Sequence, residues 1–282
     1  MKLLRVGEPG AERPAIVDSD GKYRDLSSVV ADIDGAALSS EILANIAGTD
    51  ISALPEIASD SRIGACVNGV GKFICIGLNY VDHCEETGAA VPEEPVVFMK
   101  ATSAITGPND GVIKPKGSEK LDWEVEMGIV IGRDARYVSE EDAMDYVAGF
   151  CVVHDVSERN FQLERGGQWD KGKGCDTFGP IGPFLVTRDE VKNPLDLNIW
   201  LNVNGKEFQN SSTKNMVFGP AKLVSYLSQF MSLQAGDIIS TGTPPGVGLG
   251  QKPPVYLNEG DEVHLGIEGL GEQRQKVLPC PY

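Results

Sequence analysis

Two glutamates one residue apart, Glu124 and Glu126, interrupt the apolar stretch Leu121-Asp-Trp-Glu-Val-Glu-Met-Gly-Ile-Val-Ile-Gly132. Its alternation predicts a strand in which Val125, Met127, Ile129 and Ile131 point one way and both carboxylates the other. Like charges placed together there destabilise the strand unless a cation, a proton or water compensates. A hard divalent ion with oxygen ligands, Mg²⁺ or Mn²⁺, is the natural compensator. An edge strand with a wet acidic face would satisfy the same spacing. A third acid, Asp155, ends the apolar run Phe150-Cys-Val-Val-His154, either as a ligand at a strand terminus or as a cap of the turn around Ser157.

The second group is Gly77-Leu-Asn-Tyr-Val-Asp-His-Cys-Glu-Glu86. On a helix His83 and Glu86 would share a face, and a histidine oriented by a carboxylate can act as a general base; a surface helix would show the same spacing. Cys84 beside His83 diverges by roughly 100° on a helix, which argues against a Cys/His nucleophile. A third group, Ser240-Thr-Gly-Thr-Pro-Pro-Gly-Val-Gly248, follows an apolar run and can offer backbone N–H groups to an anion. It lacks the Lys-Ser/Thr ending of a phosphate loop, and no Gly-x-Gly-x-x-Gly occurs, which disfavours a dinucleotide enzyme.

The elements that must position these groups are mostly strands. Expected strands are Lys2 to Val6, Ala15 to Val17, Tyr23 to Leu26, Phe73 to Gly77, Val96 to Met99, Val125 to Ile131, Ala148 to His154, Phe184 to Thr187, Asn198 to Asn204, Ile238 to Thr241 and Glu262 to Gly266. Asp18-Ser-Asp-Gly21 reads as a hairpin turn. Helices are sparse: Glu41 to Ala47 capped by Ser39 or Ser40, Ser139 to Tyr146 capped by Ser139, and Pro220 to Phe230. Strands without regularly alternating helices argue against a doubly wound sheet. A boundary is expected near residue 65, between a small N-terminal domain, 1–65, and a larger domain, 66–282, that holds all three groups.

Lys and Arg number 25 against 41 Asp and Glu, a formal charge of −16 with pI near 4.6, which argues against nucleic acid or an anionic membrane as partner. The six cysteines form no Cys-x-x-Cys pair, so they are expected to be reduced. The apolar runs are too short to span a bilayer and the first residues lack an apolar signal region, so a cytoplasmic protein is expected.

Gly77-Leu-Asn-Tyr-x-x-His83-x-x-Glu86, Phe98-Met-Lys100, Glu124-x-Glu126, Asp155 with Arg159 and Gln162, Lys173-Gly-x-Asp-Thr-Phe, Asn204-Gly205 with Gln209 and Thr213, and Thr241-Gly-Thr-Pro244 together resemble the fumarylacetoacetate hydrolase family. The resemblance runs from about residue 70 to the C-terminus. It implies an α+β, β-rich fold, a mixed β-sheet roll or barrel preceded by a small N-terminal α+β domain, usually as a homodimer. It also implies Glu124, Glu126 and Asp155 as ligands of Mg²⁺ or Mn²⁺ and Lys173 as an active-site lysine. His83 with Glu86 becomes an acid/base dyad on a lid, with Arg159, Gln162 and Thr243 lining the substrate site.

Within the family, the segments around Lys173 and Thr243 are most similar to the branch that cleaves 2,4-diketo-3-deoxy-L-fuconate, whose members are also labelled ureidoglycolate lyase. The implied reaction is hydrolysis of the C–C bond of an acylpyruvate. Ureidoglycolate lyase and oxaloacetate decarboxylase are the alternatives that share its chelating 2-oxo acid. A divalent cation and Lys173 would only balance three ligand carboxylates, which predicts a monoanionic substrate with a hydroxylated, uncharged tail.

Overall fold

The computed structural model describes residues 1–82, 86 and 90–282. Eleven strands form its largest sheet, in the order Glu56–Ile57, Tyr23–Asp25, Arg13–Val17, Lys2–Val6, Gly179–Thr187, Val147–His154, Val125–Ile131, Ile238–Ser240, Phe73–Gly77 and Val96–Lys100, with Ile105–Thr106 alongside Gly179–Thr187. Its two ends do not pair with each other, so this mixed sheet is open and the expected barrel is not closed. A second sheet of five strands runs Lys206–Ser212, Asn198–Val203, Glu262–Ile267, Gly271–Leu278 and Val112–Ile113. Among the described residues no helix is long and apolar enough to cross a membrane.

The central strand shows how sequence becomes layer. Met127, Ile129 and Ile131 pack with Leu201, Val263 and Leu265 of the second sheet, while Val130 faces a separate cluster with Leu26, Ile33 and Ile46 of the N-terminal region. Because both faces are covered, every residue of Val125–Ile131 is buried, and the wet-edge reading of the acidic face is excluded. The N-terminal strand pairs antiparallel with Gly179–Thr187, Lys2 opposite Val186. The hairpin turn forms as expected, with Gly21 at φ +79° and its N–H donated to the Asp18 carbonyl.

The helix Pro220–Phe230 occupies its expected span, with Pro220 in its first turn. It buries Leu223, Val224 and Leu227, each worth about 1.5–3 kcal/mol of burial. Ser40–Ala47 is likewise a helix, with the Ser39 side chain accepting from the Ile42 N–H. The helix expected over 139–146 is instead a 3-10 turn, Ala143–Tyr146. Its cap forms, with Ser139 Oγ accepting from the Asp142 N–H at 3.2 Å, and the chain passes from the turn directly into the strand at Val147, which pairs with Ile131.

Three strand segments escape the apolar pattern for identifiable reasons. Gly179–Phe184 is masked by its glycines and prolines, and Lys206–Ser212 is polar, with Gln209 alone buried. Gly271–Leu278 turns glutamines inward: Gln273 Nε2 donates to the Val152 and Gly182 carbonyls at 2.8 and 2.9 Å, and Gln275 Nε2 to the Pro108 carbonyl at 2.6 Å. Burial satisfied by hydrogen bonds carries no hydrophobic signature.

A candidate metal centre under a glycine loop

The acidic centre lies where the ladder between Val125–Ile131 and Val147–His154 ends. Glu126 stands opposite Val153, Val125 opposite His154, and just beyond the ladder the Asp155 N–H donates to the Glu124 carbonyl at 2.9 Å. This cross-strand placement brings carboxylate oxygens of Glu124, Glu126 and Asp155 within 4.8 Å of one another, all three residues buried. Asp155 is thus part of the cluster; the Ser157 hydroxyl, in the short strand Ser157–Glu158 that stands where a turn is expected, donates to its carbonyl oxygen, not its carboxylate.

Three cations enclose the acids. Lys173 Nζ donates to Glu124 Oε2 at 2.5 Å and Asp155 Oδ2 at 2.9 Å, and Arg159 donates to Glu124 Oε1 at 2.7 Å and Asp122 Oδ2 at 2.8 Å. Lys100 Nζ lies 2.6 Å from Asp155 Oδ1 while donating to the Val156 and Lys173 carbonyls at 3.0 and 2.6 Å. That contact is an ion pair without hydrogen-bond alignment, so Asp155 Oδ1 is a buried acceptor with no hydrogen-bond donor.

The electrostatics separate the two glutamates. Burial alone would raise the Glu124 pKa, but the charges of Lys173 and Arg159 outweigh it and hold the carboxyl well below the usual range. Glu126 behaves oppositely: burial, then the charges of Asp155 and Glu124, push its pKa well above the usual range, against Ser240 Oγ donating at 2.5 Å and the Gly242 N–H at 2.9 Å. An all-carboxylate oxygen donor set, with one carboxyl that favours its proton when no cation faces it, fits a hard divalent ion such as Mg²⁺ or Mn²⁺. His154 faces away, its Nδ1 3.0 Å from Gln275 Oε1, and burial lowers its pKa to about 3, which keeps it neutral.

The glycine loop forms the roof. Asp122 accepts from the Gly248 and Leu249 N–H groups at 2.6 and 3.0 Å, and Trp123 Nε1 donates to the Gly246 carbonyl at 3.1 Å. Glu86 accepts from the Gly246 N–H at 3.0 Å, so this acid reaches the loop over the site. His83, its expected partner, lies outside the described residues, as does Cys84. Thr243 Oγ1 donates to the Val125 carbonyl at 2.9 Å and accepts from Gln209 Nε2 at 2.8 Å; Gln162 Oε1 accepts from Arg159 at 3.0 Å. Arg159, Gln162, Lys173 and Thr243 all line one cavity of about 200 Å³ together with Glu124 and Glu126.

The residues without an assigned part in the sequence reading are Lys100, Asp122 and Ser240. Lys100 carried the same signal as Asp155, an ionisable residue at the end of an apolar strand, Val96–Lys100. Asp122 sits two residues before Glu124 but belongs to a different sheet, pairing with Ser157, so alternation along one strand does not find it.

Comparison with known proteins identifies the family and the fold. The profile described as Fumarylacetoacetate (FAA) hydrolase C-terminal matches residues 72–278. A Burkholderia multivorans protein named only in general terms as a hydrolase is 62% identical over 276 residues, 98% of each chain. The fumarylacetoacetate hydrolase of the psychrophile Exiguobacterium antarcticum superposes with a TM-score of 0.87 at 34% identity, covering 99% of this chain and 100% of that one. A maleylpyruvate hydrolase from Sphingobium sp. SYK-6, in complex with manganese(II) and pyruvate, gives a TM-score of 0.83 at 27% identity over 99% of both chains. With most of its length matched by the profile and its whole fold shared by these structures, the chain belongs to the fumarylacetoacetate hydrolase family.

Proposed function

We propose that this protein is a divalent-metal-dependent hydrolase that cleaves the C–C bond of an acylpyruvate. The observation that carries the reading is the convergence of Glu124, Glu126 and Asp155 beside the Lys173 ammonium in one cavity. The manganese and pyruvate in the Sphingobium maleylpyruvate hydrolase support it, since pyruvate is the product expected here. A cation held by the three carboxylates would supply Lewis acidity toward the carboxylate and 2-keto oxygen of a 2-oxo acid.

The chain's own groups then divide the work. His83, held by Glu86, takes a proton from water, whose oxygen attacks the 4-keto carbon. The C3–C4 bond breaks, its electron pair goes to the pyruvate enolate, and a second carboxylic acid leaves. Lys173 faces the developing enolate charge, and a proton returned to C3 completes pyruvate. Glu86 is anchored on the Gly246 N–H, in the loop that carries Thr243.

Charge sets the substrate's ionic state. Four carboxylates, Asp122, Glu124, Glu126 and Asp155, meet three cations, Lys100, Arg159 and Lys173, leaving one negative charge. A divalent cation turns this into one positive charge, which suits a monoanionic 2-oxo acid. The balance rests on Lys100, Arg159 and Asp122 as well as on Lys173 and the triad.

The test is a panel assay in Mg²⁺ or Mn²⁺ following pyruvate or glyoxylate release. It takes an alkyl acylpyruvate, a deoxyfuconate-type diketo acid, ureidoglycolate and oxaloacetate. Pyruvate release from the first two, abolished by EDTA, is expected. Turnover of only ureidoglycolate or only oxaloacetate would replace the hydrolase reading with a lyase or a decarboxylase.

A further inference from the structure

The cavity is chemically two-sided. Its charged lining side chains, Glu124, Glu126, Arg159 and Lys173, belong to one linked cluster, and the Arg159 guanidinium is already engaged by Asp122, Glu124 and Gln162. The Lys173 ammonium lies 5.1 Å above the Phe98 ring, and there the ionic floor passes into an aromatic wall. Phe98 meets Trp169 edge to face, ring centroids 5.4 Å apart. Gly77 makes room for that indole, since a Cβ there would stand 2.6 Å from the Trp169 ring. Val247 and Leu249, from the loop that Asp122 holds, line the same cavity, and Leu163 stands 45% exposed. Among the described lining residues Glu124, Glu126, Arg159 and Lys173 are the only charged ones, and apart from Gln162 and Thr243 the rest are apolar or glycine.

We propose that this wall selects a 2-oxo acid whose distal end is a short, uncharged, apolar acyl group. The proposal rests on the 2-oxo acid reading above and names its substrate class. A carboxylate or a row of hydroxyls pushed against Phe98, Trp169, Val247 and Leu249 loses water without gaining a partner, whereas an alkyl or vinyl chain is favoured by leaving water. At about 200 Å³ the cavity is smaller than the roughly 300–1,000 Å³ usual for drug-sized ligands, so the acyl group is short. The hydroxylated tail expected from the sequence is therefore not the one this wall fits.

The experiment is calorimetric binding to the Mg²⁺-loaded protein of three chain-matched probes: 2-oxohexanoate, 6-hydroxy-2-oxohexanoate and 2-oxoadipate. Binding should weaken in that order, with 2-oxoadipate at least about tenfold weaker than 2-oxohexanoate because its second carboxylate is buried unpaired. Leu163→Lys places a cation beside the wall at a partly exposed helix position and should narrow that ratio by several-fold. Wild-type affinity for 2-oxoadipate equal to or above that for 2-oxohexanoate, no binding of any probe, or a ratio unmoved by Leu163→Lys in a protein with native melting would each overturn the proposal. Selective binding without cleavage of any acylpyruvate would leave the wall standing and remove the hydrolase reading. Cleavage that favours a dianion would do the reverse.

Discussion

Lys100 Nζ lies 2.6 Å from Asp155 Oδ1, and neither side chain reaches solvent. The same ammonium donates to the carbonyl of Lys173 at 2.6 Å, so one buried cation joins the third acid of the cluster to the backbone of Lys173. Lys100→Met leaves Asp155 short of a buried counter-charge and is expected to cost about 3–5 kcal/mol, the usual scale for breaking a buried pair. Urea denaturation measures it; a loss below 1 kcal/mol would show that the pair is dispensable. Lys100→Arg, which keeps the charge but not the compact ammonium, should fall between.

Removing the cation should cost stability and favour a proton on Glu126. Mg²⁺ at a hundredfold excess over its Kd should stabilise the wild-type protein by about 2.7 kcal/mol. Glu126→Gln should abolish that gain together with turnover. In EDTA the same variant should be no less stable than wild type, because the Glu126 carboxyl then favours its proton and glutamine is its neutral counterpart. Unchanged metal-induced stabilisation in Glu126→Gln would remove Glu126 from the ligand set.

The dyad should be separable from the metal centre. His83→Gln is expected to retain Mg²⁺ affinity and to lower acylpyruvate hydrolysis by ~10²-fold or more, the scale for losing a general base. Loss of metal in that variant would make His83 a ligand instead.

Gly246 should tolerate no side chain. Its φ is +107° and a Cβ would collide with the Phe208 carbonyl, while its own N–H and carbonyl serve Glu86 and Trp123. Gly246→Ala is expected to lower stability by about 1–3 kcal/mol and to depress kcat by displacing Glu86. Wild-type melting and kcat would refute the anchoring role.

Acid should loosen the attachment of the N-terminal segment. Arg62 donates to the Gly7 carbonyl and to Glu12 Oε1, both at 2.9 Å, and to Asp110 Oδ1 at 2.8 Å. Burial raises the Asp110 pKa, but Arg62, the Thr106 hydroxyl and the Gly107 N–H outweigh it and hold the carboxyl below its ordinary 3.8. A depressed folded value means the stabilisation is complete above the ordinary value and is lost as pH falls through the folded one. Stability of the wild type should therefore drop below about pH 4, and Asp110→Asn should flatten that drop. Denaturant midpoints across pH 2.5–7 decide it, and parallel curves for the two proteins would count against Asp110.

Much of this protein is local enough to read along the chain. The spans Lys2–Val6, Phe73–Gly77, Val125–Ile131 and Pro220–Phe230 follow from apolar periodicity and terminal signals, because strand alternation and helix capping depend on neighbouring residues. The pairing of Glu124 with Glu126 on one face is likewise a property of a two-residue repeat. What the tertiary structure alone decided is partnership across distance. Glu124 meets Asp155 through antiparallel register, Lys100 reaches Asp155 from the sheet edge, and Gln273 and Gln275 fill a core through hydrogen bonds that no hydrophobic pattern records. The apolar wall of Phe98, Trp169, Val247 and Leu249 belongs to the same class. Each residue is ordinary in its own segment, and the wall exists only because separate segments of the chain close on one cavity.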